Sequence, residues 1–136
     1  MTDRWRITHE DDVARIAPGR GPARMDLAVH AAWDAPRTPV SATRYRIAIA
    51  RQIRQDLWRA LRTARGFAPM VEVTSDHGGT GPVRVMATAG GRMDTSHAPR
   101  AAMAAAAQAV LDDAGNRQRW HRHAARVGRP RMGDDL

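Results

Sequence analysis

The chain has 136 residues and a formal net charge of +8, and all 22 of its basic residues are arginines. One domain of this length buries about two thirds of its unfolded surface, and a hydrophobic fraction of 43% is typical of a folded globule. The absence of cysteine excludes disulfides and thiolate metal sites. No apolar run approaches the roughly 18 residues that a spanning helix needs.

The beginning of the chain predicts no export signal. Residues 1–12 are acidic and lack the apolar segment of a signal peptide. We therefore expect a cytoplasmic protein that does not enter a membrane. The bias towards arginine and alanine is typical of a GC-rich genome and predicts a bacterial or bacteriophage source.

In chain order, the first predicted elements are a strand and a short helix. Residues 4–7 predict a short strand. Thr8, with Asp11 three residues later, forms a capping-box pattern that predicts a helix over residues 8–17. The glycines and prolines of residues 18–24 predict a flexible connection.

The next predicted elements are a strand and a long helix. In residues 25–33 every second side chain is apolar, which predicts a strand with one face on a core. Ser41 or Thr43 can cap a helix that continues to about Arg65, and Gly66 ends it.

The second half of the chain predicts a hairpin and two helices. In residues 70–89, apolar side chains alternate with others on both sides of a glycine-rich stretch, 75–82. This pattern predicts a β-hairpin with a long turn. Residues 96–115 predict an alanine-rich helix, and residues 117–127 predict a last one. Residues 128–136 predict a frayed basic tail.

These elements predict a single domain over residues 1–136 of the α+β class. The economical arrangement is a small, single-layer, mostly antiparallel sheet with helices packed on one face. We expect about three strands, or four if residues 4–7 also pair. A helical bundle carrying one hairpin is the alternative.

Positive charge is concentrated in two of the predicted elements. Residues 35–66 hold eight arginines against one acid, Asp56, and residues 117–136 hold six arginines against two acids. On a projection of the long helix, a core-facing stripe is formed by Ile49, Ala50, Ile53, Leu57, Ala60, Leu61 and Ala64. Trp58 lies on the opposite side, among Arg44, Arg51, Arg54, Arg62 and Arg65.

Two explanations of Trp58 stay open. The ring and Ile47 could pack against another part of the chain or a second copy, since arginine stems cover apolar surface well. Alternatively, the arginines could neutralise phosphates while the indole stacks on a base or a sugar.

The prediction for function is a small basic protein without enzymatic activity that binds nucleic acid. The predicted contact residues are Arg51, Arg54, Trp58, Arg62, Arg65, Arg119, Arg122 and Arg126. In the alternative, a phage or mobile-element inhibitor or an assembly component uses the same surface on an acidic protein or nucleoprotein. The sequence is also compatible with a homo-oligomer.

Three groups of residues suggest chemistry, but none has a diagnostic pattern. His121 and His123 diverge on a helix and make a poor metal chelate. The stretch 75–82, with Asp76 and His77, lacks the lysine and the following helix of a phosphate loop. A Mg²⁺ site could be built from four further residues, Asp26, His30, Asp34 and Glu72. A half-exposed sheet face carries such residues anyway, and we predict no metal and no cofactor.

Overall fold

In the computed structural model, residues 5–19, 24–64, 66–93 and 99–130 are described. Within them the elements are β1 (Trp5–Glu10), β2 (Val13–Pro18), β3 (Leu27–Ala35), α1 (Ala42–Leu61), β4 (Phe67–Asp76), β5 (Val83–Met93), α2 (Arg100–Asp112) and α3 (Ala114–Val127). The five strands form one antiparallel sheet in the order β1-β2-β4-β5-β3. The α+β class and the single sheet are confirmed, whereas the expectation of three or four strands is too low.

The additional strand comes from the segment predicted as a helix, and that prediction is wrong. β1 and β2 pair with each other across a two-residue turn formed by Asp11 and Asp12. Both residues have positive φ angles, 52° and 63°, as in the type I′ turns of tight hairpins. Asp tolerates this conformation because its short side chain can hydrogen-bond locally. The acids that suggested a helix start therefore form a turn.

α1 follows the predicted phase and carries the chain from edge strand β3 past β5 to β4. Ser41 caps it by accepting a hydrogen bond at 3.4 Å from the backbone N–H of Arg44. The predicted stripe is largely confirmed, since Ile49, Ile53 and Leu57 are completely buried in the core against the sheet. The exception is Ala60, which is exposed.

The core lies between the helices and one face of the sheet. α2 packs on β3, and α3 packs on α1. Trp120 of α3 is completely buried, and its ring centroid lies 5.9 Å from that of Trp33. Side chains that alternate with the core positions of the strands, such as His30 and Met86, are exposed on the other face. The helices therefore cover one side of the sheet.

The predicted connection and tail lie partly outside the described residues. β2 continues to Pro18, and residues 20–23 are not described. At the other end, the backbone N–H of Ser41 donates to the carbonyl of Gly128 at 2.7 Å. Residues 131–136 are not described. Among the described helices, none is long and apolar enough to cross a membrane.

Candidate functional site

Asp56, the one acid of α1, is withdrawn from the helix surface. One of its carboxylate oxygens, Oδ2, accepts hydrogen bonds from the indole N–H of Trp120 at 2.7 Å and from Arg119 at 2.5 Å. The other, Oδ1, lies 3.5 Å from Arg59. Only 9% of Asp56 is exposed. Because this carboxylate serves the α1–α3 contact, the exposed side of α1 carries no acid.

Arg119 is engaged within the chain by the same contact. Besides Asp56, its guanidinium donates to the side-chain oxygens of Asn116 at 2.9 Å and of Gln52 at 3.4 Å. Breaking these bonds would oppose any transfer of the guanidinium to a ligand. Of the predicted contact residues, Arg119 therefore serves first to hold α3 on α1.

Arg54 is also engaged, but with an aromatic ring. Its guanidinium carbon lies 3.8 Å from the ring centroid of Trp5 in β1, a cation–π stack. Burial lowers the pKa of Arg54. Its Nε is buried and has no hydrogen-bond partner among the described residues. Arg54 therefore links α1 to the edge strand of the sheet.

The remaining predicted residues are placed at the surface. Trp58 is 47% exposed, so about half of its surface is open to solvent. Its exposed companions are Arg51, Arg62, Arg122 and Arg126. Among the described residues these four arginines form no ion pair with a carboxylate, although Arg126 approaches His123 Nδ1 at 3.1 Å. Arg65 lies outside the described residues.

A shallow groove joins the two basic helices. Its volume is about 330 Å³, and it is lined by Arg44, Ile47, Ala48, Arg51, His123 and Val127. The two helices contribute an apolar floor, on which Val127 is exposed, and a cationic rim. Arg44 on this rim donates to the carbonyl of Arg129 at 3.0 Å. We call this groove, together with Trp58, Arg62, Arg122 and Arg126, the cationic surface. Of these, Arg122 also lines a separate pocket beside Trp33 and Asp34.

The two histidines of α3, which the sequence predicts to be a poor metal chelate, have different partners. His121 Nδ1 lies 2.8 Å from the hydroxyl of Tyr45, which is buried at the start of α1. Burial lowers the pKa of His121 and raises that of Tyr45 to about 12. His123 instead faces the groove beside Arg126. His121 and His123 therefore do not converge on a common metal position.

Of the four residues considered for a Mg²⁺ site, His30 and Glu72 lie on one face of the sheet, both opposite Thr88, and line one pocket. The three carboxylates are each engaged by an arginine. Glu72 pairs with Arg15 at 2.5 Å, and Asp34 pairs with Arg84 at 3.2 Å. Asp26 lies 2.9 Å from Arg24 and accepts from the N–H of Met93. His30 Nδ1 lies 3.0 Å from the hydroxyl of Thr88. Within the described ranges, no group of three or more metal-binding side chains is found.

The glycine-rich stretch 75–82 is organised by an arginine that sequence analysis did not single out. Arg37 donates to the carbonyls of Gly81, His77 and Gly78 at 2.6, 2.7 and 2.8 Å. The N–H of Gly78, which an anion would need, donates to Asp76 at 2.9 Å. Three carbonyls of the loop and the N–H of Gly78 are therefore engaged by side chains.

His77 belongs to a separate polar cluster at the end of β4. Its Nε2 lies 2.6 Å from the hydroxyl of Ser75, which also accepts from buried Arg46 at 2.9 Å. Burial, followed by the charges of Arg46 and Arg37, lowers the pKa of His77. Ser75 is itself buried. A hydroxyl in that position is not presented to a substrate.

Comparisons with protein-family models, with curated proteins and with solved structures find no match to this chain. The chemistry of the cationic surface is therefore interpreted from its own residues.

One of the residues that order this surface left a signal in the sequence. Asp56 follows Ile49 and Ile53 at helical spacing and so lies on the core side of α1. The stack of Arg54 on Trp5 could not be predicted from the sequence, because it joins segments that are distant along the chain.

Proposed function

We propose that this chain binds nucleic acid through the phosphate backbone, using the cationic surface. The observation that carries the proposal is a set of four exposed arginines that have no carboxylate partner among the described residues, namely Arg51, Arg62, Arg122 and Arg126. The sequence also predicted ligand contacts for Arg54 and Arg119. In the structure Arg54 holds β1 against α1, and Arg119 holds α3 against α1. Direct contact is thus assigned to fewer residues than the sequence suggested.

The charge arrangement favours a phosphate chain as the ligand. An arginine that is not paired within the chain breaks no ion pair when it meets a phosphate, and each such contact releases counterions. Arg51 and Arg62 are eleven positions apart on α1, or about 16 Å along the helix axis. Duplex DNA presents one charge per about 1.7 Å of its axis. A ligand with many regularly spaced anions can therefore engage both arginines together.

The test is the salt dependence of binding. If four arginines each neutralise one phosphate, the log–log slope should be about −3.6 on a duplex and about −2.8 on a single strand. Replacing Arg51, Arg62 and Arg122 together by Gln should reduce the magnitude of the slope by about 2 to 3. The measurement is fluorescence anisotropy of a labelled oligonucleotide over a series of salt concentrations.

A matched control removes the same charge from the opposite face of the sheet. Arg6, Arg15 and Arg84 are exposed there, and their replacement by Gln should leave most of the slope in place. Equal effects of the two triple variants would mean that net charge alone drives binding. No binding at low salt, or an unchanged slope in the first variant, would refute the proposal. Absence of binding at low salt would favour the alternative of an acidic protein partner.

A further inference from the structure

The exposed aromatic rings of this protein are confined to one place. All six aromatic side chains lie in the described residues, and four of them are buried, namely Trp33, Tyr45, Phe67 and Trp120. The two exposed rings are Trp58 of α1 and Trp5 of β1, the latter 40% exposed. A chain with few aromatics thus leaves two large indoles in solvent.

Arg54 connects these two rings. Its guanidinium stacks on Trp5. Arg54 also precedes Trp58 by one helical turn, which places the Cβ atoms of Arg54 and Trp58 about 6 Å apart. The stack occupies one face of the Trp5 ring, whose remaining surface is partly open to solvent. The two indoles therefore flank one half-buried arginine at the edge of the cationic surface.

Cations accompany Trp58 along its own side of the helix. Arg51 precedes it by two turns and Arg62 follows it by one turn, and both are exposed. A base that stacked on Trp58 would therefore have a cation available for the phosphates on either side. Stacking of bases on aromatic rings tolerates any sequence, because every base has a π face.

A duplex cannot use such a ring. Its bases are stacked on one another and present only their edges in the grooves, while an unpaired strand exposes base faces. We infer that the ligand of the cationic surface is single-stranded nucleic acid, with bases stacked on Trp58 and Trp5 and phosphates held by Arg51 and Arg62. This inference rests on the proposed function and specifies its substrate class.

The experiment compares single-stranded and duplex ligands of one length at one salt concentration. The probes are labelled oligothymidine and oligouridine of about 16 nucleotides, and the duplex of the first with its complement. The wild-type chain should bind the single strands more tightly than the duplex. Trp58→Ala should weaken single-strand binding by about 5- to 150-fold and leave duplex binding unchanged. Comparing oligothymidine with oligouridine shows whether DNA or RNA is preferred.

Two further variants control for folding and for loss of apolar surface. Trp58→Phe keeps an aromatic face and should retain most of the single-strand affinity. Met86→Ala removes a side chain that is 52% exposed on the opposite face of the sheet and should change neither affinity. Circular dichroism melts of all variants should match the wild type, because neither replaced side chain is buried.

The outcomes separate this inference from the proposed function. Equal affinity for single strand and duplex, or equal losses on both in Trp58→Ala, would overturn the single-strand inference alone, provided that the arginine-dependent salt slope remains. Absence of binding to all three probes would overturn the proposed function and this inference with it. Full single-strand binding by Trp58→Ala would remove the stacking role of the ring.

Discussion

Replacing Asp56 by Ala should destabilise the protein far more than removing a surface acid. The carboxylate joins α1 to α3 by accepting from Trp120 and Arg119. Its loss leaves the N–H of a completely buried indole without an acceptor. The same contact keeps the negative charge of Asp56 away from the cationic surface.

The expected magnitude follows from the exposure of the two donors. An unsatisfied N–H in the buried environment of Trp120 costs about 1–3 kcal/mol. The side chain of Arg119 is 42% exposed, so its ion pair adds at most about 1 kcal/mol after solvent screening. We therefore expect Asp56→Ala to lower the free energy of unfolding by about 1–4 kcal/mol. Asp56→Asn should lose less, since an amide oxygen can still accept from the indole.

Urea denaturation followed by circular dichroism measures this loss. The matched control is Asp34→Ala, because the Asp34 side chain is 59% exposed in its pair with Arg84 and should contribute about 0–1 kcal/mol. A double-mutant cycle with Trp120→Phe isolates the indole bond and should give a coupling of about 1 kcal/mol or more. If Asp56→Ala costs no more than Asp34→Ala, the assignment of Asp56 as the acceptor of the buried indole is wrong.

Two further predictions concern the core and the buried phenol. Leu57→Ala should cost about 2–5 kcal/mol and Arg51→Ala no more than about 0.5 kcal/mol, so comparable losses in denaturation would contradict the helix phase. Tyr45 is the single tyrosine of the chain, and burial raises its pKa from the ordinary 10.0 to about 12. Since the folded pKa is the higher one, the stabilisation from the neutral phenol is present below pH 10 and lost as the pH rises through about 12. An ultraviolet titration that finds a folded midpoint near 10, as expected in urea, would refute the burial of Tyr45.

The sequence by itself determined the elements whose side-chain period is regular. Alternation in residues 25–33 and 70–89 predicted β3, β4 and β5, because a strand with one buried face imposes a period of two. The spacing of Ile49, Ile53 and Leu57 predicted the buried face of α1, because a helix with one buried face imposes a period of about 3.6 residues. These signals are local, so they do not require knowledge of the neighbours.

Tertiary structure decided between alternatives that local signals left equal. The capping pattern at Thr8 is compatible with a helix, but pairing of Ala14 and Ile16 with Val73 and Val71 holds the second half of the segment in strand β2, so residues 8–17 belong to a β-hairpin. Sheet hydrogen bonds and burial of Ile16 outweigh a cap contribution of about 1 kcal/mol. The choice depends on β4, which lies far along the chain.

The division of the arginines into engaged and available ones was likewise a tertiary decision. In sequence, Arg51, Arg54 and Arg119 are equivalent cations on helices. Arg54 reaches Trp5, and Arg119 reaches an acid 63 residues away, while Arg51 makes no ion pair within the described residues. A guanidinium at the end of a long side chain takes whichever acceptor or ring the fold brings near, and helical spacing does not specify that partner.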